Sequence, residues 1–269
     1  MAEYTEIEYE LRGTAAIIRL NRPEKLNALT STTLAEIRLA VDTAAADASV
    51  VGIVITGNGR GFCSGLDSAA LIASTTAGSA GRGKPKGDDP HGMFSYLLHV
   101  PKPVIAAVNG VAAGGGLVLA LVSDVRIAST AASFTTIFSK RGLVSEHGTS
   151  WIMPRLMGVG RSLDLLWTSR RIDAEEALRT GMVEYVCEPD ELVDRACAYV
   201  ADLAENVSPQ AIADIKRLVY RHAGMGYLEA LEEADAATYA ALDRPDSTEG
   251  ARALVEKRPP RFARLGSPS

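Results

Sequence analysis

Hydrophobic and polar residues change rhythm several times along the chain, and each rhythm predicts a different element. Tyr4 to Glu10 and Thr14 to Leu20 flank Arg12-Gly13, which predicts a β-hairpin. Asn21-Arg22-Pro23-Glu24 follows as a turn. Thr30 stands where an N-cap is needed, ahead of Leu34, Ile37, Val41 and Ala44, an apolar stripe at helical spacing. Val50 to Thr56 is a nearly continuous apolar run, as in a strand covered on both faces. Pro103 to Val108 repeats that pattern, and Asp124 to Ala128 gives a shorter version. Strands separated by helical stretches imply βαβ units and a largely parallel sheet.

From about Pro189 the pattern is helical throughout, over Asp190–Glu205, Pro209–His222, Tyr227–Leu242 and Ser247–Lys257. This divides the chain into a core, residues 1–195, and a C-terminal helical region, residues 196–269, of the kind that mediates self-association. Two stretches break the rhythm. Val104 to Val122 is apolar and long enough to cross a bilayer, but it contains Asn109 and four glycines and ends at Asp124. A buried strand, a glycine turn and a buried helix account for it. Ser74 to His91 is rich in Gly, Ser, Thr, Lys and Asp without an apolar period, and predicts a loop, either a lid or a solvated insertion.

Composition narrows the function. The chain has 269 residues, 47% of them hydrophobic, enough for a sizeable core. Its formal net charge of −5 offers no footprint for nucleic acid or a membrane surface. Cys63, Cys187 and Cys197 are too scattered for a disulfide framework and fit a reducing cytoplasm. The N-terminus lacks the apolar stretch of a secretory signal. His91, His99, His147 and His222 show no H-x-x-x-H spacing, so no metal site is expected.

The candidate chemistry sits in two glycine clusters, each directly after a predicted buried strand. These are Gly57-Asn-Gly-Arg-Gly-Phe-Cys-Ser-Gly-Leu-Asp67 and Asn109-Gly-Val-Ala-Ala-Gly-Gly-Gly-Leu117. Glycine permits close backbone approach, so both clusters can present N–H groups at the mouth of a parallel sheet. Neither contains G-x-G-x-x-G, a following Gly-Lys-Ser/Thr, or the G-x-S-x-G elbow, which argues against nucleotide cradling and serine hydrolysis.

Four segments taken together resemble the crotonase superfamily, the enoyl-CoA hydratase/isomerase family, over essentially the whole chain. They are Asn21-Arg-Pro-Glu-Lys-Leu-Asn-Ala-Leu29, Gly61-Phe-Cys-Ser-Gly-Leu-Asp67, Lys102-Pro-Val-Ile-Ala-Ala-Val-Asn-Gly-Val-Ala-Ala-Gly-Gly-Gly116 and Arg141-Gly-Leu-Val-Ser-Glu-His-Gly148. The resemblance implies an α/β fold: a crotonase-like spiral of repeated ββα units with a C-terminal helical oligomerisation region. It implies a homotrimer or a dimer of trimers, and an acyl-CoA thioester as substrate, coenzyme A being part of that substrate and no other cofactor being required. It maps an oxyanion hole onto the N–H groups of Leu66 and Gly115, with Gly114 beside them. It maps CoA contacts onto Lys25, Leu26, Ala28, Ser64, Gly65 and Asp67, and onto Lys257, which could equally be a solvated helix-end charge. Phe138 falls on the acyl pocket.

The resemblance breaks at the acid–base positions. Hydratases of this family place one glutamate two residues after the glycine triplet and another four residues after the counterpart of Phe134. Here these positions are Val118 and Phe138, and neither can move a proton. Glu146 lies where some relatives carry a working aspartate, and one carboxylate suffices to carry a proton between carbons of an enoyl chain. The same residue could instead serve as helix-entry chemistry ahead of Thr149–Met157. The expected activity is enoyl-CoA isomerisation or hydration (EC 5.3.3 or 4.2.1). A non-catalytic acyl-CoA binder and a family hydrolase or lyase are the alternatives.

Overall fold

The computed structural model describes residues 4–77 and 92–266. Two sheets organise it. The larger has six strands in the order β1-β2-β3-β5-β7-β10, and the smaller has β4-β6-β8-β9. The strands are β1 Ile7–Arg12, β2 Ala15–Leu20, β3 Gly52–Gly57, β4 Gly61–Cys63, β5 Val104–Val108, β6 Val111–Ala113, β7 Val125–Ser129, β8 Ser133–Thr135, β9 Ile172–Asp173 and β10 Tyr185–Cys187. Only β1/β2 and β8/β9 pair antiparallel. The other pairings are parallel, so the chain climbs from the large sheet to the small one and back as it advances. This is the α/β spiral that the sequence implies.

Local chemistry sets the elements. The hairpin turns at Gly13, whose φ of +58° suits a residue without a β-carbon. Helix α1, Ser31–Ala46, starts in a capping box in which the Thr30 side chain accepts from Thr33 N–H and the Thr33 side chain accepts from Thr30 N–H. Its expected stripe is the one that packs, with Ile37, Val41 and Ala44 fully buried and Leu34 half-buried. The apolar stretch from Val104 resolves into β5, β6 and helix α3, Gly115–Leu121, all seven of whose residues are buried. No helix among the described residues is long and apolar enough to cross a membrane.

Helix α2 covers Ser68–Ala77, so the first residues of the predicted loop are helical instead. The remainder of that expectation, residues 78–91, lies outside the described residues. Helices α4 (Thr149–Met157), α5 (Val159–Thr168) and α6 (Ala174–Thr180) follow. The C-terminal series is α7 Leu192–Asn206, α8 Pro209–His222, α9 Tyr227–Leu242 and α10 Pro245–Glu256.

The core has two parts. One joins α1 and α3 to the inner faces of both sheets through Ile18, Ile53, Phe62, Val118 and Phe134. The other lies on the far face of the large sheet, where Leu192, Ala196 and Val200 of α7 bury against Ile17, Val54 and Ile105. The 195/196 boundary therefore cuts through a core helix, and by packing the appendage begins after α7. Helix α8 is tied down by Lys216, whose ammonium donates to Asp124 Oδ2 at 2.7 Å, the Leu97 carbonyl at 2.9 Å and the Lys102 carbonyl at 3.2 Å. Helix α9 has no buried residue.

Candidate active site

The site is made first by backbone. Two asparagines hold the glycine loops in place. Asn27 Nδ2 donates to the Asn58 and Gly61 carbonyls at 3.0 and 2.8 Å. Asn109 accepts from Gly57 N–H at 3.0 Å and donates to the Gly59 carbonyl at 2.9 Å. Beyond β4 the chain forms a parallel bridge with Leu29: Leu29 N–H donates to the Gly65 carbonyl at 2.8 Å, and Asp67 N–H donates to the Leu29 carbonyl at 2.9 Å. In such a bridge the intervening residue turns its own N–H to the opposite side, so the Leu66 amide points away from Leu29.

On the same stretch, a β-carbon built on Gly65, at φ +93°, would lie 2.8 Å from the Ala113 oxygen and 3.3 Å from the Gly115 nitrogen. One on Gly116 would overlap the Cys63 carbonyl oxygen. The two glycine clusters therefore abut, and only glycine allows it. Gly114 caps α3, and the first rung of its ladder is Val118 N–H to the Gly114 carbonyl at 3.0 Å. Gly115 N–H precedes that rung and lies at the helix's positive end.

The acid–base positions differ in kind. Val118 and Phe138 are buried hydrocarbons at 0% and 4% exposure. Phe138 uses its carbonyl to hold the next turn, accepting from Arg141 N–H at 2.9 Å and Leu143 N–H at 3.0 Å. Ile137 beside it sits at φ +58°, which a β-branched residue rarely adopts, with a methyl against the Gly114 position.

Glu146 is half-buried. Its carbonyl accepts from Thr149 N–H at 3.0 Å and Thr149 Oγ1 at 2.8 Å, so its backbone starts α4 while its carboxylate is left to other partners. His147, at φ +50°, accepts from Met93 N–H at Nδ1 at 3.3 Å. The Met93 sulfur in turn lies 3.4 Å from where a Gly115 β-carbon would be. Met93 thus straps the Glu146-His147 segment to the glycine of α3.

The positions mapped to CoA form one cluster. Leu26 and Asn27 take left-handed φ of +50° and +56°. Ser64 N–H donates to the Leu26 carbonyl at 3.0 Å and Ser64 Oγ to the Lys25 carbonyl at 3.3 Å, so Lys25, Leu26 and Ala28 rest on the Ser64-Gly65 turn. Lys25 is exposed and Ala28 buried. The Asp67 side chain is engaged by its own chain, accepting from Ala69 N–H at 3.1 Å and from Arg22 at 3.3 Å. Those donors, with Lys25 nearby, hold its carboxyl below the usual range. Lys257 is the exposed left-handed cap of α10, and among the described residues no contact joins it to this cluster.

Several residues that organise the site were not singled out in the sequence. Arg22 clamps both Asp67 and the Ala28 carbonyl, the latter at 2.6 Å. Its signal was its place in the Asn-Arg-Pro-Glu turn. Lys102, fully buried, donates to the Ala44 and Asp47 carbonyls at 2.9 and 2.6 Å and so fixes the end of α1. Cys63 lies against the glycine triplet, but burial pushes its thiol up to about 12, so it stays protonated and is no nucleophile. Among the described residues no group of three or more His, Cys, Asp or Glu side chains is placed to hold a metal.

The site is thus a spiral α/β core whose strand ends bring two backbone glycine turns together. Comparison with known proteins agrees. The family model for enoyl-CoA hydratase/isomerase matches residues 10–264. A probable enoyl-CoA hydratase of Rhodobacter capsulatus is 35% identical over 96% of this chain and 98% of its own. The short-chain-enoyl-CoA hydratase of Clostridium acetobutylicum is 33% identical over 95% of this chain and 97% of its own. Enoyl-CoA hydratase subunit I from Geobacillus kaustophilus superposes with a TM-score of 0.87 at 33% identity, covering 99% of this chain and all of that one. The chain belongs to the enoyl-CoA hydratase/isomerase family of the crotonase superfamily, and is an enzyme of that type.

Proposed function

We propose that the protein isomerises or hydrates an enoyl-CoA ester through a thioester enolate, with Leu66 and Gly115 N–H as the oxyanion donors and Glu146 as the proton carrier. The observation that carries this reading is the contact of the Gly65-Leu66 turn with Gly115, strapped through Met93 and His147 to Glu146. Backbone donors fixed by packing need no reorganisation as charge builds on the carbonyl oxygen, and each is worth about 2.7–4 kcal/mol in the transition state. With Val118 and Phe138 apolar, a second carboxylate is missing from both usual places, which favours shuttling one proton by one base over activation of water by two. Coenzyme A enters as part of the substrate over the Lys25–Ala28 and Ser64–Asp67 turns, with Lys257 reaching the phosphates across a subunit boundary.

Incubation with a panel of enoyl-CoA esters, read by mass and NMR, separates a shifted double bond from added water, released CoA and no change. The buried hydrocarbons at Val118 and Phe138 favour one rival, an acyl-CoA binder without turnover, and that rival stands if the last outcome is obtained. The exposed apolar residues of α8 and α9, among them Ile215, Val219, Tyr227, Leu228, Tyr239 and Leu242, support assembly into a homotrimer or dimer of trimers. Light scattering reads the mass directly, and a monomer would remove that part of the proposal.

A further inference from the structure

A cleft of about 720 Å³ opens behind Trp151, between α4, the 3₁₀ turn Ser95–His99 and α8. Its walls are continuous with the two segments that meet at Gly115. Trp151, in the first turn of α4, comes four residues after His147 in the chain, and Leu98 and His99 follow Met93 on the other side. Leu98, Val100, Trp151 and Tyr220 make its body apolar, while Arg217 and Arg221 stand at its rim, half exposed or more.

The charges around this cleft do not cancel. Lys216 is neutralised by Asp124, and Asp214 is held by Arg244 at 2.5 Å. Glu233 is shared between Arg217 at 3.0 Å and Arg221 at 2.6 Å, and Arg217 also lies 3.9 Å from Asp214. Arg155 lies 4.0 Å over the Trp151 ring and donates only to the Trp151 and Ala223 carbonyls, with no carboxylate partner among the described residues. Among the described residues, the cleft's charged side chains and their ion-pair partners are Lys216, Arg217, Arg221 and Arg244 against Asp124, Asp214 and Glu233, with Arg155 over the Trp151 ring as a further cation. An apolar passage ending in surplus guanidinium fits a chain that is hydrocarbon along its length and anionic at its tip.

We propose that this cleft receives the far end of the acyl group and selects acyl chains that terminate in a carboxylate. The proposal rests on the thioester reading above and names its substrate class: monoesters of dicarboxylic acids with CoA, bound with the free carboxylate between Arg155 and Arg221.

The test pairs saturated acyl-CoA esters of equal length, one ending in methyl and one in carboxylate, measured by titration calorimetry on the full-length protein. The carboxylate-ended ester should bind about tenfold or more tightly, the range of a charge-assisted hydrogen bond. Arg155→Met combined with Arg221→Met should bring the two esters to within about twofold while leaving the methyl-ended one unchanged, since both arginines are exposed and Glu233 keeps Arg217. A second measurement needs no variant: raising the salt from about 0.05 to 0.5 M should erode the preference of the unaltered protein. Equal affinity for the two esters, or a preference that survives the double substitution or high salt, overturns the subsite. Turnover of methyl-ended enoyl-CoA without a carboxylate preference removes the subsite alone, whereas a preference between the saturated esters without turnover of any enoyl-CoA ester, methyl-ended or carboxylate-ended, removes the catalytic reading and leaves the subsite standing.

Discussion

The two walls of the site are built by opposite means. On one wall the glycine turns present main-chain N–H groups, and the side chains around them serve only to fix the backbone: Asn27, Asn109 and Arg22 hold the loops, and Gly116 fits flush on the Cys63 carbonyl. On the other wall, from Ile137 to His147, the chemistry depends on which side chain occupies each position. There the turn is pinned by carbonyls, those of Phe138 and Glu146, that any residue supplies. The first wall therefore tolerates little change at its glycines, while substitutions on the second can alter the chemistry without disturbing the fold.

That contrast can be broken from either side. The largest effect is expected from Glu146→Gln, which keeps the carbonyl cap on Thr149 but removes the proton acceptor. Turnover should fall by roughly 10²–10⁴ with the melting temperature and acyl-CoA affinity intact. Unchanged turnover would reduce Glu146 to a helix-entry residue and leave the second wall without its base. Next comes Gly65→Ala. A methyl there meets the Ala113 oxygen and forces a side chain into φ +93°, so the hole should lose alignment and kcat should drop by about 10²–10³. A substitution that left kcat alone would show that no oxyanion is held between these turns.

Ser64→Ala removes only the bond to the Lys25 carbonyl. It should weaken CoA-ester binding by about 0.5–1.5 kcal/mol with kcat unchanged, a split visible in steady-state kinetics. The smallest effect concerns the exposed end of α10. The Arg258 guanidinium, with Arg261 N–H, holds Glu249 down at about 2. A carboxyl depressed on folding stabilises above its unfolded pKa, near 4.3, and loses that contribution as the pH falls through its folded value. NMR titration should show the Glu249 resonance moving below pH 3, with local loosening of α10 and no change at the glycine turns. A midpoint near 4 would mean the Arg258 clamp is absent in solution.

What could be read from the sequence followed the same division. The hairpin at Gly13, the Thr30 cap, the buried runs of β3 and β5, and helices α8 and α9 follow from local periodicity and turn chemistry. The glycine clusters were visible because close backbone approach leaves no other residue possible. Elements of two or three residues, such as β4, β6 and β9, carry no period and take their shape from the strands they join. Residues 68–73 were assigned to no element and 74–77 to a loop because Ala and Thr give no apolar stripe, yet Asp67 caps a helix there. Lys216 and Lys102 escaped notice because a lysine in an amphipathic pattern reads as surface, and only the carbonyls gathered around each ammonium reveal the burial. Arg155 and Arg221 escaped for the complementary reason, since nothing in sequence brings α4 beside α8.

Asp124 has one further implication. Its carboxylate receives Val104 N–H at the entry to β5, the Lys216 ammonium and the Tyr220 hydroxyl from α8. A chain ended at Asn206 would strip two of those three donors and take the Lys216 ammonium from the Leu97 and Lys102 carbonyls at the root of the strand that leads into Asn109 and the second glycine turn. The helical tail is therefore no detachable module. Transplanting it between relatives requires moving the strand-end aspartate and its lysine as one inseparable unit.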